Sequence, residues 1–322
     1  MLRFISKQMM NIYNTNGDNK KRWPEKECLI TEPDDINIVY PPIESFHNNP
    51  NQLEAIVLLT TNYEIEKKRF NDFILNIIKT LNRNKKLNID FIISINNNKS
   101  NPLTPHVLYL KYLFNNIKII NNDILPEDDI YKPNLDNVTK KVPTFGLSSG
   151  PNILFWNTMQ ELKEYNTVLV LETDCILYLG WLDKITRYID NCGNFLISGP
   201  TYDGTLKIPS FHHLFFHING VSLYKTGSPI FQFIIKKLIE YTKQQVSSGN
   251  IICSYDYMFI DMILTKLKNI NSIHYDFWKL VYRNITKNQF IVNMSPQVDS
   301  SESESVILKK FPDCIILHKK IE

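Results

Sequence analysis

The sequence predicts an α/β protein whose mostly parallel sheet carries helices on both faces. Three observations lead to this prediction. Apolar runs of strand length recur along the chain, segments with one apolar helical face lie between them, and several of the runs end in clusters of polar residues. We find no internal repeat and no linker in the sequence. We therefore expect a single domain over residues 51–322, preceded by an irregular, proline-punctuated arm over 1–50.

The first half of the pattern starts at 55–59, where Ala-Ile-Val-Leu-Leu runs without a polar residue, as in a strand buried on both faces. A helix is predicted over 66–82, because phenylalanines and isoleucines fall on one face. Two more strands, at 89–95 and 117–120, flank a short helix near 106–114. Strand and helix therefore alternate, as the crossovers of a parallel sheet require.

The second half repeats the alternation after a long polar connection at 121–149, and connections of that length are usually functional or mobile. Pro151 suits a first helical position, so a helix is predicted from there to about 165. The clearest strand is 167–171, Thr-Val-Leu-Val-Leu. The remaining predicted elements are a helix near 180–190, a strand at 195–198, an aromatic β-like segment at 211–224, a helix over 228–245, a helix from Ser254 and a final strand at 314–317.

The composition argues against several classes of protein. Lys and Arg number 36 against 33 Asp and Glu, and a net charge of +3 is too balanced for a protein that mainly binds nucleic acid. No apolar run reaches the roughly 18 residues of a membrane span. Five cysteines without C-x-x-C spacing argue against a disulfide framework or a zinc site and for a reducing compartment. Since we see no secretory leader, we expect a cytoplasmic location; the oligomeric state is left open.

Polar residues stand where three of the predicted strands end. These clusters are Thr60-Thr61-Asn62, Asn96-Asn97-Asn98 and Glu172-Thr173-Asp174. In open α/β sheets ligands bind beyond the carboxyl ends of the strands, so all three clusters are candidates for binding. The third cluster alone has two carboxylates, which can aim oxygen ligands at a hard cation while a nucleotide diphosphate supplies the rest.

Four motifs follow one another in a fixed order: FGLSSGPNILFW at 145–156, VLVLETD at 168–174, GWL at 180–182 and HINGVSLY at 217–224. In this combination the chain resembles nucleotide-sugar-dependent glycosyltransferases of the GT-A fold, a Rossmann-like arrangement. More narrowly, it resembles versions found in large DNA viruses and algae. The resemblance covers roughly 55–320, most of the chain.

The resemblance implies that the acid-x-acid triplet holds Mn²⁺ or Mg²⁺, bridging the two phosphates of the donor. We expect Asp174 to be the direct ligand. Glu172 stands where Asp is commoner, and we expect its longer arm to contact the nucleotide ribose or to reach the metal through water. The resemblance also implies a histidine near the C-terminus that completes the metal shell, and His318 directly follows the last predicted strand.

The resemblance further implies a glycine-containing loop, here Gly146 to Gly150, and a downstream acid, here Asp256 or alternatively Asp261. We assign the catalytic role to Asp256, as the base if the reaction inverts configuration and as an acceptor-orienting group if it retains it. The residues assigned to donor binding are Thr60, Thr61, Asn96, Gly150, Asn152, Glu172 and Thr173. Those assigned to acceptor or sugar contact are Trp181, His217, Asn219 and Gly220.

Each assignment has a structural alternative. Gly150 can simply start a helix, and Asp256 falls in a first helical turn, where the helix dipole favours a carboxylate. His318 lies beside lysines near the chain end, where an exposed histidine is the default. Trp181 is spaced from its apolar neighbours as on a buried helix face.

The predicted activity is transfer of a sugar from a nucleoside diphosphate sugar, with UDP-sugars favoured, to a hydroxyl of a glycan or protein acceptor. One alternative is a nucleotidyltransferase of the same fold, although its glycine-rich basic loop is replaced here by Thr60-Thr61-Asn62-Tyr63. The other alternative is a non-catalytic sugar-binding virion protein, which Glu172 in place of Asp keeps open. For a viral chain, the expected location is the infected host cytoplasm or the virion.

Overall fold

The structure is a computed structural model that describes residues 38–46, 51–60, 63–81, 86–96, 102–130, 143–201, 218–250, 253–294 and 303–319. The chain divides into two compact units, Met1–Val39 and Tyr40–Glu322. Nearly all of the first unit lies outside the described residues, so the following concerns the second. Among the described residues, no helix has the length and hydropathy to cross a membrane.

The second unit contains both helices and strands, which alternate in its first half. The helices are α1 (Tyr63–Thr80), α2 (Pro105–Tyr109), α3 (Ser149–Glu161), α4 (Trp181–Asn191), α5 (Pro229–Ser247), α6 (Tyr255–Lys268), α7 (Tyr275–Arg283) and α8 (Glu304–Lys310). The strands are β1 (Leu53–Thr60), β2 (Asp90–Asn96), β3 (Ile117–Asn122), β4 (Thr167–Glu172), β5 (Cys175–Leu177), β6 (Ile197–Gly199), β7 (Leu223–Tyr224), β8 (Ile285–Lys287), β9 (Ile291–Met294) and β10 (Ile316–Lys319).

The central sheet has seven strands in the order β3-β2-β1-β4-β7-β6-β8. Strands β3, β2, β1 and β4 are parallel to one another, β7 runs antiparallel between β4 and β6, and β8 is parallel to β6. A mostly parallel sheet with helices on both faces is therefore present, and the predicted fold class is confirmed.

The core lies on both faces of β1, because alternate residues of a strand point to opposite faces. Ala55, Val57 and Leu59 pack in one cluster with apolar residues of α3, α5, α6 and α7. Ile56 and Leu58 pack in the other with α1 and α4. Fully burying each large aliphatic side chain contributes about 1.5–3 kcal/mol, so this double burial holds the sheet between the two helix layers.

A second, three-stranded sheet has the order β5-β10-β9. The strand predicted near the C-terminus is present as β10, and it belongs to this second sheet rather than to the central one. Strand β10 pairs antiparallel with β5 and parallel with β9. Since β5 begins directly after the acid-x-acid triplet, this pairing brings the C-terminal strand to the triplet.

Most predicted elements are present with shifted ends, and one helix start is corrected. Helix α3 begins at Ser149, after a short 3-10 helix at Gly146–Ser148, so Pro151 is its third residue rather than its first. The missing N–H of Pro151 still falls among the first four amides of the helix, which have no intrahelical acceptor. Helix α5 begins as predicted, with Ser228 accepting a hydrogen bond from the Phe231 N–H. The sequence analysis missed β5, α7, β8, β9 and α8.

Candidate active site

The acid-x-acid triplet lies at the carboxyl edge of the central sheet. Glu172 is the last residue of β4, and Thr173 and Asp174 form the tight turn into β5. The carboxyl ends of β1 and β2 lie along the same edge, because both strands are parallel within this part of the sheet. The turn thus stands where open α/β sheets bind their ligands.

His318 lies against this turn. In the register of β10 on β5, His318 is opposite Cys175, the residue that follows Asp174. Its Nε2 atom is 3.3 Å from Oδ1 of Asp174 and 3.4 Å from Oε2 of Glu172. One ligand atom from each of the three residues lies within 4.8 Å of the others. His318 is only 5% exposed, so the alternative of an exposed surface histidine is wrong.

The pKa values of His318 and Asp174 are both displaced by charged neighbours. Burial by itself lowers the pKa of His318, but the carboxylates of Asp174 and Glu172 outweigh burial and raise this pKa to about 10. Burial likewise acts to raise the pKa of Asp174, yet the charge of His318 and that of Arg69 hold it below its ordinary value. The surroundings therefore favour the negative form of Asp174 and the positive form of His318.

The residues fit a divalent cation. Two carboxylates and an imidazole are ligands used for such ions. Oδ1 of Asp174 is buried and lies 3.3 Å from Nε2 of His318, and it accepts no hydrogen bond among the described residues. A buried carboxylate oxygen without a partner is costly, and a bound cation would satisfy it. Nε2 of His318 faces both acids and would be the ligand atom in the neutral imidazole, with a bound cation in place of its proton and with Nδ1 buried behind it.

Helix α1 fixes the turn from the other side. The Thr173 hydroxyl donates to Oε2 of Glu66 at 3.1 Å, and the Arg69 guanidinium donates to Oε1 of Glu66 at 2.9 Å. The Thr173 hydroxyl is therefore bonded to α1, and this hydrogen bond stabilises the turn. Sequence reasoning missed Glu66 and Arg69, although both lie in the first turns of the helix that follows β1, where ligand-binding residues are expected.

The polar strand ends differ from one another. Thr60, the last residue of β1, is fully buried, and its hydroxyl has no hydrogen-bond partner among the described residues. Asn96, the last residue of β2, accepts a hydrogen bond from the Ile124 N–H. This bond holds the segment that follows β3 against the end of β2. Thr61 lies outside the described residues. Of the two described residues, Thr60 is the one with a buried hydroxyl that has no hydrogen-bond partner.

Gly150 and Asn152 lie inside α3 and are buried. The Asn152 side-chain amide donates to the carbonyls of Phe145 and Cys253, at 3.2 and 2.8 Å, and its oxygen accepts the Tyr255 N–H at 2.8 Å. The amide nitrogen and the amide oxygen of Asn152 are therefore both hydrogen-bonded to backbone groups. Asn152 therefore joins the glycine loop to the start of α6, which is a structural role that the sequence did not predict.

Tyr255 was not predicted and stands next to the triplet. Its hydroxyl donates to Oε1 of Glu172 at 3.5 Å, and its ring stacks on Phe155 with centroids 4.0 Å apart. Asp256, the next residue, lines a small and mostly apolar cavity beside it. Oδ1 of Asp256 accepts the Ser254 hydroxyl at 2.5 Å and the Tyr257 N–H at 2.9 Å, the bonds of a helix-start residue.

The structure describes three of the residues assigned to acceptor contact, namely Trp181, Asn219 and Gly220. Trp181 is fully buried, its indole N–H donates to Thr80, and it lies in the core beside α1; the sugar-contact assignment is therefore corrected in favour of a core role. Asn219 is buried and accepts the Val221 N–H, while the Gly220 carbonyl accepts the Tyr224 hydroxyl. His217 lies outside the described residues.

Comparison with known proteins gives a likeness of structure only. No protein-family model matches the chain, and no curated protein matches it. Among solved structures, galactosyltransferase LgtC is 13% identical with a TM-score of 0.45, over 82% of this chain and 86% of that one. Mouse xyloside xylosyltransferase 1 is 12% identical with a TM-score of 0.46, over 82% of this chain and 97% of that one. At these identities and TM-scores, nothing follows about the reaction, the donor or the metal.

Proposed function

We propose that this chain is a metal-dependent glycosyltransferase that moves a sugar from a nucleoside diphosphate sugar to an acceptor hydroxyl. The observation that carries the proposal is the meeting of Glu172, Asp174 and His318 within 4.8 Å at the carboxyl edge of a mostly parallel sheet. The four ordered motifs, which resemble those of GT-A glycosyltransferases, add support. UDP-sugars are the favoured donors.

Asp174 and His318 would hold Mn²⁺ or Mg²⁺ directly, and Glu172 would hold it directly or through water. When bound, the cation supplies Lewis-acid neutralisation of the charge that builds on the leaving diphosphate. The position of Glu172 supports a place at the cation rather than at the ribose, since its Oε2 is 3.4 Å from the same Nε2 atom that faces Asp174. Thr60 offers its buried hydroxyl to the donor at the neighbouring strand end.

In the transfer step, the bond between the anomeric carbon and the diphosphate oxygen breaks while a bond to the acceptor oxygen forms. The acceptor hydroxyl must then lose its proton. If configuration is inverted, we assign this proton to Asp256, and if it is retained, Asp256 orients the acceptor. The support is its place in the first turn of α6, directly after Tyr255, whose hydroxyl contacts Glu172.

The test is hydrolysis of UDP- and GDP-sugars by the full chain, with and without Mn²⁺, alongside thermal unfolding. We expect one donor to be hydrolysed slowly and only with the metal. The same donor should stabilise the fold by about 2.7 kcal/mol at one hundred times its dissociation constant. If no nucleotide sugar is hydrolysed and none shifts the unfolding transition, the proposal is wrong. Binding without any turnover would instead favour the non-catalytic sugar-binding alternative.

A further inference from the structure

We propose that Tyr255 is a positioning residue that sets the orientation of the Glu172 carboxylate at the metal site, and that Gly220 is a glycine because the Tyr255 hydroxyl occupies the space of its side chain. This inference rests on the metal site of the proposed function. It assigns roles to one residue that the sequence did not single out and to another whose expected role was sugar contact.

The two oxygens of Glu172 have different neighbours. Oε1 faces the Tyr255 hydroxyl at 3.5 Å, and Oε2 faces Nε2 of His318 at 3.4 Å. Rotation of the carboxylate about its terminal bond would break both contacts. The hydroxyl of Tyr255 therefore keeps Oε2 directed toward His318 and Asp174, the side on which a cation would be held.

Tyr255 is itself fixed from three directions. Its backbone N–H donates to Oδ1 of Asn152 at 2.8 Å, and its ring lies at 10° to that of Phe155. The residue is 8% exposed, so its hydroxyl has little room to swing to another partner. Asn152 and Phe155 both belong to α3, which means that the helix of the glycine loop supports the metal site through Tyr255.

The third constraint on Tyr255 is the backbone of Gly220, which packs closely against the Tyr255 hydroxyl. A Cβ atom at this position would lie 1.9 Å from the Tyr255 hydroxyl oxygen and 2.8 Å from the ring carbon that bears it. Gly220 is not among the described glycines with positive φ, so its backbone conformation does not require glycine. A side chain at position 220 is excluded because it would collide with the Tyr255 hydroxyl. The same hydroxyl contacts Glu172, which lies 83 positions before Tyr255 in the chain.

The experiment measures Mn²⁺ affinity of the full chain by electron paramagnetic resonance, with no sugar present. In Tyr255→Phe we expect the affinity to fall about tenfold or more, as for other residues that orient a metal ligand. The matched control is Tyr241→Phe, which also removes a buried hydroxyl that donates to a carboxylate, Oδ2 of Asp261 at 2.7 Å. Tyr241→Phe should lower the unfolding temperature and leave Mn²⁺ affinity unchanged.

A second variant tests the role of Gly220. Gly220→Ala should weaken Mn²⁺ binding in the wild-type background, and should weaken it less in the Tyr255→Phe background, where the hydroxyl that it displaces is already gone. If Gly220→Ala does not fold, Tyr255→Phe and its control still decide the question. Equal affinities in wild type and Tyr255→Phe overturn the inference, as does a wild-type chain that binds no Mn²⁺.

Failure of this inference is distinct from failure of the proposed function. A chain that hydrolyses a donor with Mn²⁺, and whose Tyr255→Phe variant binds Mn²⁺ as well as wild type, is a transferase in which Tyr255 has no positioning role. A chain that hydrolyses no donor but loses Mn²⁺ affinity in Tyr255→Phe has a metal site positioned by Tyr255 and another activity.

Discussion

Buried carboxylates stand at both edges of the central sheet, and the two edges differ in how these groups are hydrogen-bonded. At the amino edge, Asp90 accepts hydrogen bonds from Asn115, Asn116 and the Tyr165 hydroxyl, and pairs with Lys118 at 3.3 Å. Glu54 on the neighbouring strand likewise accepts the backbone and side-chain N–H groups of Asn166. These two carboxylates are satisfied and fix the strand ends, although the hydroxyl of Thr167, the first residue of β4 at this edge, is buried without a hydrogen-bond partner among the described residues.

The carboxyl edge leaves buried polar atoms without hydrogen-bond partners among the described residues. They are Oγ1 of Thr60, Oδ1 of Asp174 and Nδ1 of His318. A folded protein tolerates few such atoms, and each one requires an explanation such as a bound ion or substrate. The comparison teaches that the carboxylates at the two edges differ: those at the amino edge serve structure because their hydrogen bonds are complete, whereas Asp174 at the carboxyl edge has a buried oxygen that indicates a ligand.

The largest effect is expected for Asp174→Asn at the carboxyl edge. The amide keeps the shape but removes the charge, so Mn²⁺ affinity should fall more than about 100-fold, because even residues outside the ligand shell cost about 10–100-fold. Mn²⁺-dependent donor hydrolysis should be lost while circular dichroism shows an intact fold. The matched control is Asp90→Asn at the amino edge, which should leave Mn²⁺ affinity unchanged. Wild-type hydrolysis by Asp174→Asn at saturating Mn²⁺ would contradict the metal assignment.

Asp256→Asn tests a residue that resembles the carboxylates of the amino edge in its bonding, because its Oδ1 accepts two hydrogen bonds. Unlike them, Asp256 lies beside the candidate site. A base acts only as the acceptor hydroxyl attacks, so transfer should fall by about 10²–10⁴-fold while donor affinity persists. Donor titration and single-turnover transfer separate the two quantities. If the variant unfolds or transfers normally, Asp256 belongs with the satisfied, structural carboxylates.

His318→Ala removes the third member of the cluster from the far end of the chain. We expect Mn²⁺ affinity in the presence of UDP to fall about tenfold or more, because a ligand atom is lost. His274→Ala is the control, since that imidazole stacks on Tyr40 rather than facing the triplet. Unchanged affinity in His318→Ala would leave Glu172, Asp174, phosphate and water as the metal shell.

The last prediction concerns the amino edge, where Asp90→Asn should leave the metal site unaffected and change only the stability of the fold and its pH dependence. Burial alone would raise the pKa of Asp90, but hydrogen bonds from Tyr165, Asn116 and Asn115 and the nearby Lys118 hold it below the ordinary value of 3.8. The folded-state pKa is thus below the unfolded one, so the carboxylate stabilises the fold above the unfolded pKa. This contribution is lost as pH falls through the folded pKa.

Asp90→Asn should therefore lower the free energy of unfolding near pH 7 by about 1–3 kcal/mol, as expected when a buried hydrogen-bonded charge is removed. Urea unfolding of the two proteins at several pH values provides the measurement. The difference should shrink as pH falls below the ordinary aspartate pKa. A difference that stays constant down to acid pH would show that the charge of Asp90 contributes nothing to the stability of the fold.

The sequence by itself determined the features that depend on local pattern. The apolar run of β4 followed at once by two acids indicated both a buried strand and a ligand edge, because strand periodicity and strand ends are properties of neighbouring residues. The same is true of the helix over 228–245 and of the alternation that gave the fold class. The sequence also left Trp181 open between a sugar contact and a core residue, since one helical turn suits both.

Only the tertiary structure decided which distant residues meet. His318 reaches Asp174 because β10 pairs with β5 rather than with the central sheet, and Tyr255 reaches Glu172 because Asn152 and the missing side chain of Gly220 hold it there. Strand pairing and close packing are decided by the fit of whole elements, and hydrophobic period carries no information about that fit. For this reason the acids of the site were visible in the sequence, while the residue that orients one of them was not.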